Sequence, residues 1–496
     1  MSETASTARA PVALLPSLAP LLREWLPRRR WFAGKGRPVT GFTLVSATEL
    51  LPVDSAGPGL LHLLVRVRQS GLAGTDRESP AHHGDPGDCY QLLLGVHETL
   101  PPHLAHALVG HVADGPLAGR AVYEGLSDPR LAALLLERLR TPGAIGPLRF
   151  HRTVRIPEGL APRVLDAEQS NTSLVYGDAY ILKIFRRIHT GANPDLELPL
   201  ALSRAGCARV PAPVAWYEAG AGQADGSTLG VLQPYLQGSQ DGWQLALDAL
   251  ADGRDFAAEA HALGRATAEV HTALAATLPT VTLETRQAQE LAAAMSRRLD
   301  AAAQAVPVLQ PYVPGLRTAF EAVAVLAEKG TTWRAQRVHG DLHLGQALRT
   351  PGGEWAVIDF EGEPTKPLAE RRRPQPPVRD VAGILRSFDY AARSCRPANP
   401  QWAERCREAY CTGYAEGSGR DPRAEEALLR AYETDKAVYE VLYEGRHRPD
   451  WLPVPMAAVH RLAAPHTDLP APPVRPGGAV RRSPTPDMTH QRRLSP

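Results

Sequence analysis

From about Gly238 onward the hydrophobic pattern of this chain is mostly helical. Before that point short apolar runs alternate with polar residues and are broken by Gly, Pro and Asp, as strands are. After it apolar residues recur at helical spacing, as in Phe256, Leu263, Ala266, Val270 and Leu274. A β-rich portion therefore precedes an α-rich portion. This order predicts an α+β chain of at least two bodies.

At 496 residues the chain is long enough for several domains. Within the first portion a helix is expected near Leu14 to Leu26, then strands at Gly41 to Leu51, Gly59 to Arg68 and Cys89 to Val96. A Gly/Pro/His-rich loop lies between the last two, and its His82-His83 pair is assigned no role. Further expectations are a helix near Ser127 to Thr141, strands through Leu182, a helix after Asn193 and strands at Pro213 to Glu218 and Ser227 to Pro234. Beyond about Pro465 the chain is Pro-, Gly- and Arg-rich without a hydrophobic period, which predicts a disordered tail.

Fifty-five basic residues against 53 acidic ones leave a formal +2. That balance argues against nucleic acid or an anionic membrane as partner. The five cysteines form no CxxC pair, and no window suits a signal peptide or a membrane span, which points to a cytoplasmic protein without disulfides. Lysine stands only at Lys35, Lys183, Lys329, Lys366 and Lys436, and the other 50 basic residues are arginine. In such a chain a retained lysine marks a place where a compact ammonium suits better than a planar fork.

The chemistry concentrates in Val338-His339-Gly340-Asp341-Leu342-His343-Leu344-Gly345-Gln346, followed by Ile358-Asp359-Phe360-Glu361. Phosphoryl transfer needs one carboxylate to orient or deprotonate the attacking hydroxyl, and further oxygen ligands to hold Mg²⁺ against nucleotide phosphates. Asp341 fits the first task, Gln346 and Asp359 the second. Upstream, Gln169-Ser170-Asn171-Thr172-Ser173 reads as a polar turn before two short strands, the second ending in Lys183. Ser170, Asn171, Thr172 and Ser173 would offer donors to phosphate oxygens, and Lys183 an ammonium. Glu197 on the next helix is the expected partner of Lys183. Gln233-Pro234-Tyr235 reads as a hinge whose backbone groups would meet an adenine. Tyr432, Lys436, Tyr439 and Tyr443 share one helical stripe with Glu440 beside it, a face suited to stacking on and hydrogen bonding to a sugar.

These elements resemble the HGDxHxxN and IDF motifs of aminoglycoside phosphotransferases, choline kinases and their relatives. Gln346 stands where most have Asn, a feature shared with the maltokinases. Trp25-Leu26-Pro27 through Pro38, Arg379-Asp380-Val381-Ala382-Gly383 and the run from Lys436 to Pro453 are also similar to that family. The resemblance implies a bilobal protein-kinase-like fold with an N-terminal α+β cap domain. Residues 1–125 would form the cap, 126–237 a nucleotide-binding N-lobe with an intermediate subdomain, 238–464 a catalytic C-lobe and 465–496 the tail. It implies ATP and Mg²⁺ as cofactors, Asp341 and His343 as catalytic residues, and Lys436, Tyr439, Glu440 and Tyr443 on the acceptor side. The implied reaction is ATP-dependent phosphorylation of maltose to maltose 1-phosphate for α-1,4-glucan synthesis, with trehalose synthase as a possible partner. Other acceptors of the same fold, namely aminoglycosides, choline-like amines or ketosamines, stay open, as does a nucleotide-binding module with little catalysis.

Overall fold

The computed structural model describes residues 13–53, 57–70, 87–165, 170–220, 226–364 and 366–464. The His82-His83 loop, Gln169 and the expected tail lie outside them. Two compact units emerge, one of residues up to Leu196 together with Ala212–Gln237, the other of Glu197–Pro211 with the chain from Gly238 onward.

The first unit opens with helix α1 (Leu14–Trp25), which buries Leu14, Leu18, Leu22 and Trp25 on one side. One antiparallel sheet follows, of β1 (Val39–Leu51), β2 (Gly59–Gln69), β3 (Asp88–His97), β4 (Leu108–His111) and β5 (Ala121–Glu124), in the order β1-β2-β3-β5-β4. Most of β2 and β3 is buried, which explains their near-continuous apolar runs. Helix α2 (Pro129–Arg140) starts where the Asp128 side chain accepts from the Arg130 N–H, with Pro129 in the first turn.

The second sheet of this unit contains β6 (Gly143–Ile145), β7 (Leu148–Arg152), β8 (Pro162–Leu165), β9 (Asn171–Tyr176) and β10 (Tyr180–Phe185). After the two-residue β11 (Arg187–Ile188), it is completed by β12 (Ala215–Ala219) and β13 (Ser227–Pro234) in the order β6-β7-β12-β13-β10-β9-β8. β11 itself belongs to the first sheet, where it pairs antiparallel with β3 as a sixth strand. Gln91 fixes the junction. Its amide donates to the carbonyls of Phe185 and Leu229 at 2.7 and 2.9 Å, and its oxygen accepts from Tyr217 and His62, both at 2.8 Å. A buried amide with every hydrogen-bonding capacity used specifies one packing of the sheets.

Helix α3 (Pro194–Arg204) begins in the first unit and continues into the second. The second unit is mainly helical: α4 (Gly242–Ala251), α5 (Ala257–Thr277), α6 (Thr285–Ala305), α7 (Val313–Glu328), the single-turn α8 (Leu368–Arg371), α9 (Val378–Ser394), α10 (Pro400–Ser418), α11 (Glu426–His447) and α12 (Pro453–Ala463). Its core joins Leu263, Phe320, Val381, Phe388, Tyr410 and Val441 in one apolar cluster. None of the described helices is long and apolar enough to cross a membrane.

Candidate active site

In the second unit the strand Ala347–Arg349 pairs antiparallel with Trp355–Val357, with Ala347 opposite Val357. That register places the residues flanking the hairpin side by side, so Gln346 and Asp359 meet across a sequence gap of thirteen. The Gln346 amide donates to Asp359 Oδ2 at 2.8 Å, which leaves its carbonyl oxygen to accept or to ligate. A carboxylate and an amide oxygen at one point form the hard donor set that suits Mg²⁺. Asp359 has φ 67°, and among the described residues no other non-glycine has a positive φ. Left-handed backbone at a non-glycine is costly and persists where the surroundings enforce it.

The loop before the hairpin is held from beneath by Asp380 on α9. Its carboxylate accepts from the His339 N–H at 2.7 Å, the Gly340 N–H at 2.9 Å and His271 Nε2 at 3.0 Å. His271 Nδ1 in turn accepts from the Tyr414 hydroxyl at 2.9 Å. Burial works to raise the Asp380 pKa, but these hydrogen bonds hold it below the usual value. Gly383 permits the close approach of α9, since a Cβ there would lie 2.2 Å from the Leu342 carbonyl. Gly340 supplies φ 84° at the turn into Asp341. His339 Nε2 donates to the Ile358 carbonyl at 2.9 Å, tying the loop to the hairpin.

Asp341 faces a recess with about 790 Å³ of empty space, part of it open to solvent, bounded by α6, α9, α11 and the segment after Asp359. Lys436 Nζ lies 2.8 Å from Asp341 Oδ1. Burial pushes the Asp341 carboxyl up, and the ammonium of Lys436, helped by His343 and His339, outweighs it and holds the pKa well below the carboxylate range. Burial also lowers His343 to about 4, so its ring is neutral at physiological pH. The remaining wall includes Glu363, Lys366, Arg379 and Asp435. Glu363 pairs with Lys366 at 2.9 Å and Arg379 at 3.4 Å, and Asp435 makes two 2.8 Å bonds to Arg298.

Of the expected acceptor residues, Lys436 and Tyr439 line the recess and Glu440 and Tyr443 do not. Glu440 is turned to the other side of α11, where it accepts from Arg386 at 2.5 Å. Arg386 is itself 1% exposed, and a buried guanidinium demands a carboxylate close by. Tyr443 is 37% exposed and stacks on Tyr439 and against His447. The inward stripe is Tyr432, Asp435, Lys436, Tyr439 and Leu442.

In the first unit Lys183 is 5% exposed and bonds Asp195 Oδ2 at 2.8 Å, which corrects the expected pairing with Glu197. The Asn193 side chain caps α3 by accepting from the Asp195 N–H, freeing the Asp195 carboxylate for Lys183. Two residues on, Glu197 belongs to the second unit and binds Arg337 at 2.8 Å and Arg372 at 3.2 Å. Asn171, Thr172 and Ser173 are strand residues of β9 rather than a turn, because β8 and β10 pair with both sides of it. Thr172 accepts from Arg186 at 2.8 Å, and Ser173 is fully buried opposite Lys183. Ser170 precedes the strand and accepts from Asn171 at 3.3 Å. Gln233 lies in the ladder opposite Ile181, and the Tyr235 N–H donates to the Ala179 carbonyl at 2.8 Å, so that donor is already committed within its own unit.

The residues missed from sequence are Asp195, Asp380, Glu363, Arg298 and Asp435. Asp380 lies in the stretch Arg379-Asp380-Val381-Ala382-Gly383, and Asp435 adjoins Lys436. Arg298 and Glu363 carried no local signal, because only the packing of α6 and the post-hairpin segment against α11 brings them to the recess.

Residues 25–128 match the family model of the maltokinase N-terminal cap domain, and residues 160–435 that of the phosphotransferase enzyme family. A glucosamine kinase of Mycolicibacterium smegmatis is 30% identical over 321 residues, covering 60% of this chain and 79% of that protein. A glucosamine kinase of Streptacidiphilus jiangxiensis is 30% identical over 358 residues, covering 66% and 78%. A solved glucosamine kinase in complex with glucosamine, ADP and inorganic phosphate superposes with a TM-score of 0.62 at 24% identity, covering 89% of this chain and 98% of that one. The last likeness is one of fold, a kinase-like phosphotransferase fold with an N-terminal cap. The chain therefore belongs to the phosphotransferase enzyme family, as an ATP-dependent sugar kinase with a cap domain ahead of its catalytic region.

Proposed function

We propose that this enzyme is a maltokinase, which transfers the γ-phosphoryl group of ATP to the anomeric hydroxyl of maltose and releases ADP and maltose 1-phosphate. Asp341 accepts the hydroxyl proton and orients its oxygen, with Lys436 keeping the carboxylate ionised. Gln346 and Asp359 would hold Mg²⁺, which neutralises phosphate charge when bound. Lys183, steadied by Asp195, is the cation for nucleotide phosphates. The product is an activated maltosyl donor of the kind that α-1,4-glucan synthesis consumes, and a trehalose synthase would supply the maltose.

The observation that carries the choice of a neutral sugar is the state of the recess carboxylates. Asp341, Glu363 and Asp435 each have a protein cation as partner, and Asp380 is occupied by His271 and two backbone N–H groups. A 2-amino sugar brings an ammonium that needs a carboxylate of its own when it leaves water. Hydroxyls need only donors and acceptors, and the ion pairs supply both. The second reading, an amino-sugar acceptor, takes its support from the relatives named glucosamine kinases. Initial rates of ADP formation with maltose and with glucosamine, each with Mg²⁺ and ATP, separate the two. A higher kcat/KM for maltose supports the proposal, and a higher value for glucosamine replaces it.

A further inference from the structure

A second groove in the helical unit shares no lining residue with the recess. It has about 1090 Å³ of empty space, part of it open to solvent. Its floor is a two-stranded antiparallel sheet of Val281–Leu283 and Trp333–Ala335, whose register sets Leu283 opposite Trp333 and Thr282 opposite Arg334. Successive side chains of a strand alternate between faces. Trp333 and Ala335 are accordingly buried, while Thr282 and Arg334 stand exposed on the other face. Thr280 and Thr332, two residues before each of these, are exposed in the same groove. The facing wall is the segment between α10 and α11, with Arg420, Ala424 and Glu425.

The charges of this groove are left open by the fold. Asp421 is spent on Arg423, whose Nε and Nη2 lie 2.9 and 2.8 Å from its carboxylate. The side chains of Arg334, Arg420 and Glu425 make no hydrogen bond or close ion pair among the described residues. Elsewhere in the unit Arg298, Arg337, Arg349 and Arg407 each hold a carboxylate. A half-buried carboxylate without a donor, such as Glu425, is costly unless a ligand supplies one. Phosphate would gain from the two guanidiniums but be opposed by Glu425, and a cation would be opposed by the arginines. A hydroxyl both donates and accepts, so a polyol serves the carboxylate, both guanidiniums and the three threonine hydroxyls together. Val281, 43% exposed, and the exposed Ala424 add apolar surface for the C–H face of a pyranose.

We infer that this groove is a second carbohydrate site, separate from the acceptor recess, and that it holds a neutral glucan chain. The inference stands whichever sugar the recess phosphorylates, because the two share no residue. Such a site would keep the enzyme on a glucan while the recess turns over its small acceptor.

The test is calorimetric titration of the full chain with maltoheptaose, cellohexaose and inorganic pyrophosphate, in wild type and in Arg334→Ala, Arg420→Ala and Glu425→Ala. Tm and kcat/KM for the small acceptor, maltose or glucosamine, are recorded for each. Both arginines are exposed and Glu425 makes no capping bond to α11, so the fold tolerates all three changes. Wild type is expected to bind at least one of the two glucan chains. Each variant is expected to weaken that binding at least fivefold, with Tm and kcat/KM unchanged. Failure of wild type to bind either chain overturns the inference, and equal binding by wild type and all three variants puts the chain elsewhere. Pyrophosphate binding that is lost in both arginine variants, without glucan binding, makes the groove an anion site instead.

Discussion

The ammonium of Lys436 and the carboxylate of Asp341 stand 2.8 Å apart across 95 positions of sequence, and the carboxylate of a would-be general base is thereby kept ionised in a half-buried place. Desolvation alone would raise its pKa. The arrangement keeps Asp341 charged where it faces the recess, and it sets a donor beside the carboxylate.

The first prediction follows from the sign of that shift. A carboxyl whose folded pKa is depressed contributes stability above its ordinary pKa of about 4 and loses it as pH falls through the folded value. With Lys436→Met, burial is opposed only by the two neighbouring histidines, so the Asp341 pKa rises. The acid limb of the kcat/KM profile for sugar is expected to move toward neutral pH. Wild-type activity should be flat between pH 6 and 8, since His343 titrates near 4. A variant with an unmoved acid limb would mean that Asp341 is not the titrating group.

Asp341→Asn should lower kcat by about a hundred- to ten-thousandfold, the usual worth of a positioned general base, with little change in Tm. Nucleotide affinity should persist in this variant. Turnover within a few-fold of wild type removes Asp341 from its role.

Asp359 separates metal binding from backbone strain. Asp359→Asn should keep the fold, because asparagine tolerates left-handed backbone, and should lose Mg²⁺-dependent ATP affinity. Asp359→Ala should lose about 1–2 kcal/mol of stability as well, the ordinary cost of that conformation for an L-residue. Chemical denaturation with and without MgATP tests both. Equal stabilisation of wild type and Asp359→Asn by MgATP contradicts the assignment.

Lys183→Arg should raise the KM for ATP although charge is kept. The site is 5% exposed and closed by Asp195, and a larger planar fork overfills it at a cost of about 1–3 kcal/mol. ATP kinetics indistinguishable from wild type would make Lys183 a purely structural cation.

Asp380→Ala should unfold the loop that carries Asp341. Two backbone N–H groups and His271 lose their acceptor, and breaking such a buried network costs about 3 kcal/mol. A drop in Tm together with a fall in kcat is expected. A Tm equal to wild type contradicts the role.

What sequence could show depended on distance along the chain. The strands Gly59–Gln69 and Ser227–Pro234 and the helices Pro129–Arg140 and Ala257–Thr277 were legible because period, caps and breakers are local signals. The meeting of Gln346 with Asp359 was legible too, since one hairpin encodes it. Glu197 was misassigned because Asp195 and Glu197 offer the same chemistry two residues apart, and only the cap at Asn193 decides which carboxylate turns to Lys183. Glu440 was misassigned for a related reason. It adjoins Tyr439 in sequence, yet a helix turns adjacent residues about 100° apart, and the buried Arg386 claims it. Arg298 and Glu363 reach the recess only through helix packing, for which sequence carries no short-range signal.

The most direct measurement is phosphorus NMR of the products formed by purified protein with maltose, ATP and Mg²⁺. The expected result is one ADP for each sugar phosphate, with the new phosphorus coupled to the anomeric proton of the disaccharide, and product forming far more slowly with Asp341→Asn. ADP formation without a maltose phosphate, or a phosphate at a hydroxyl other than the anomeric one, would contradict the account.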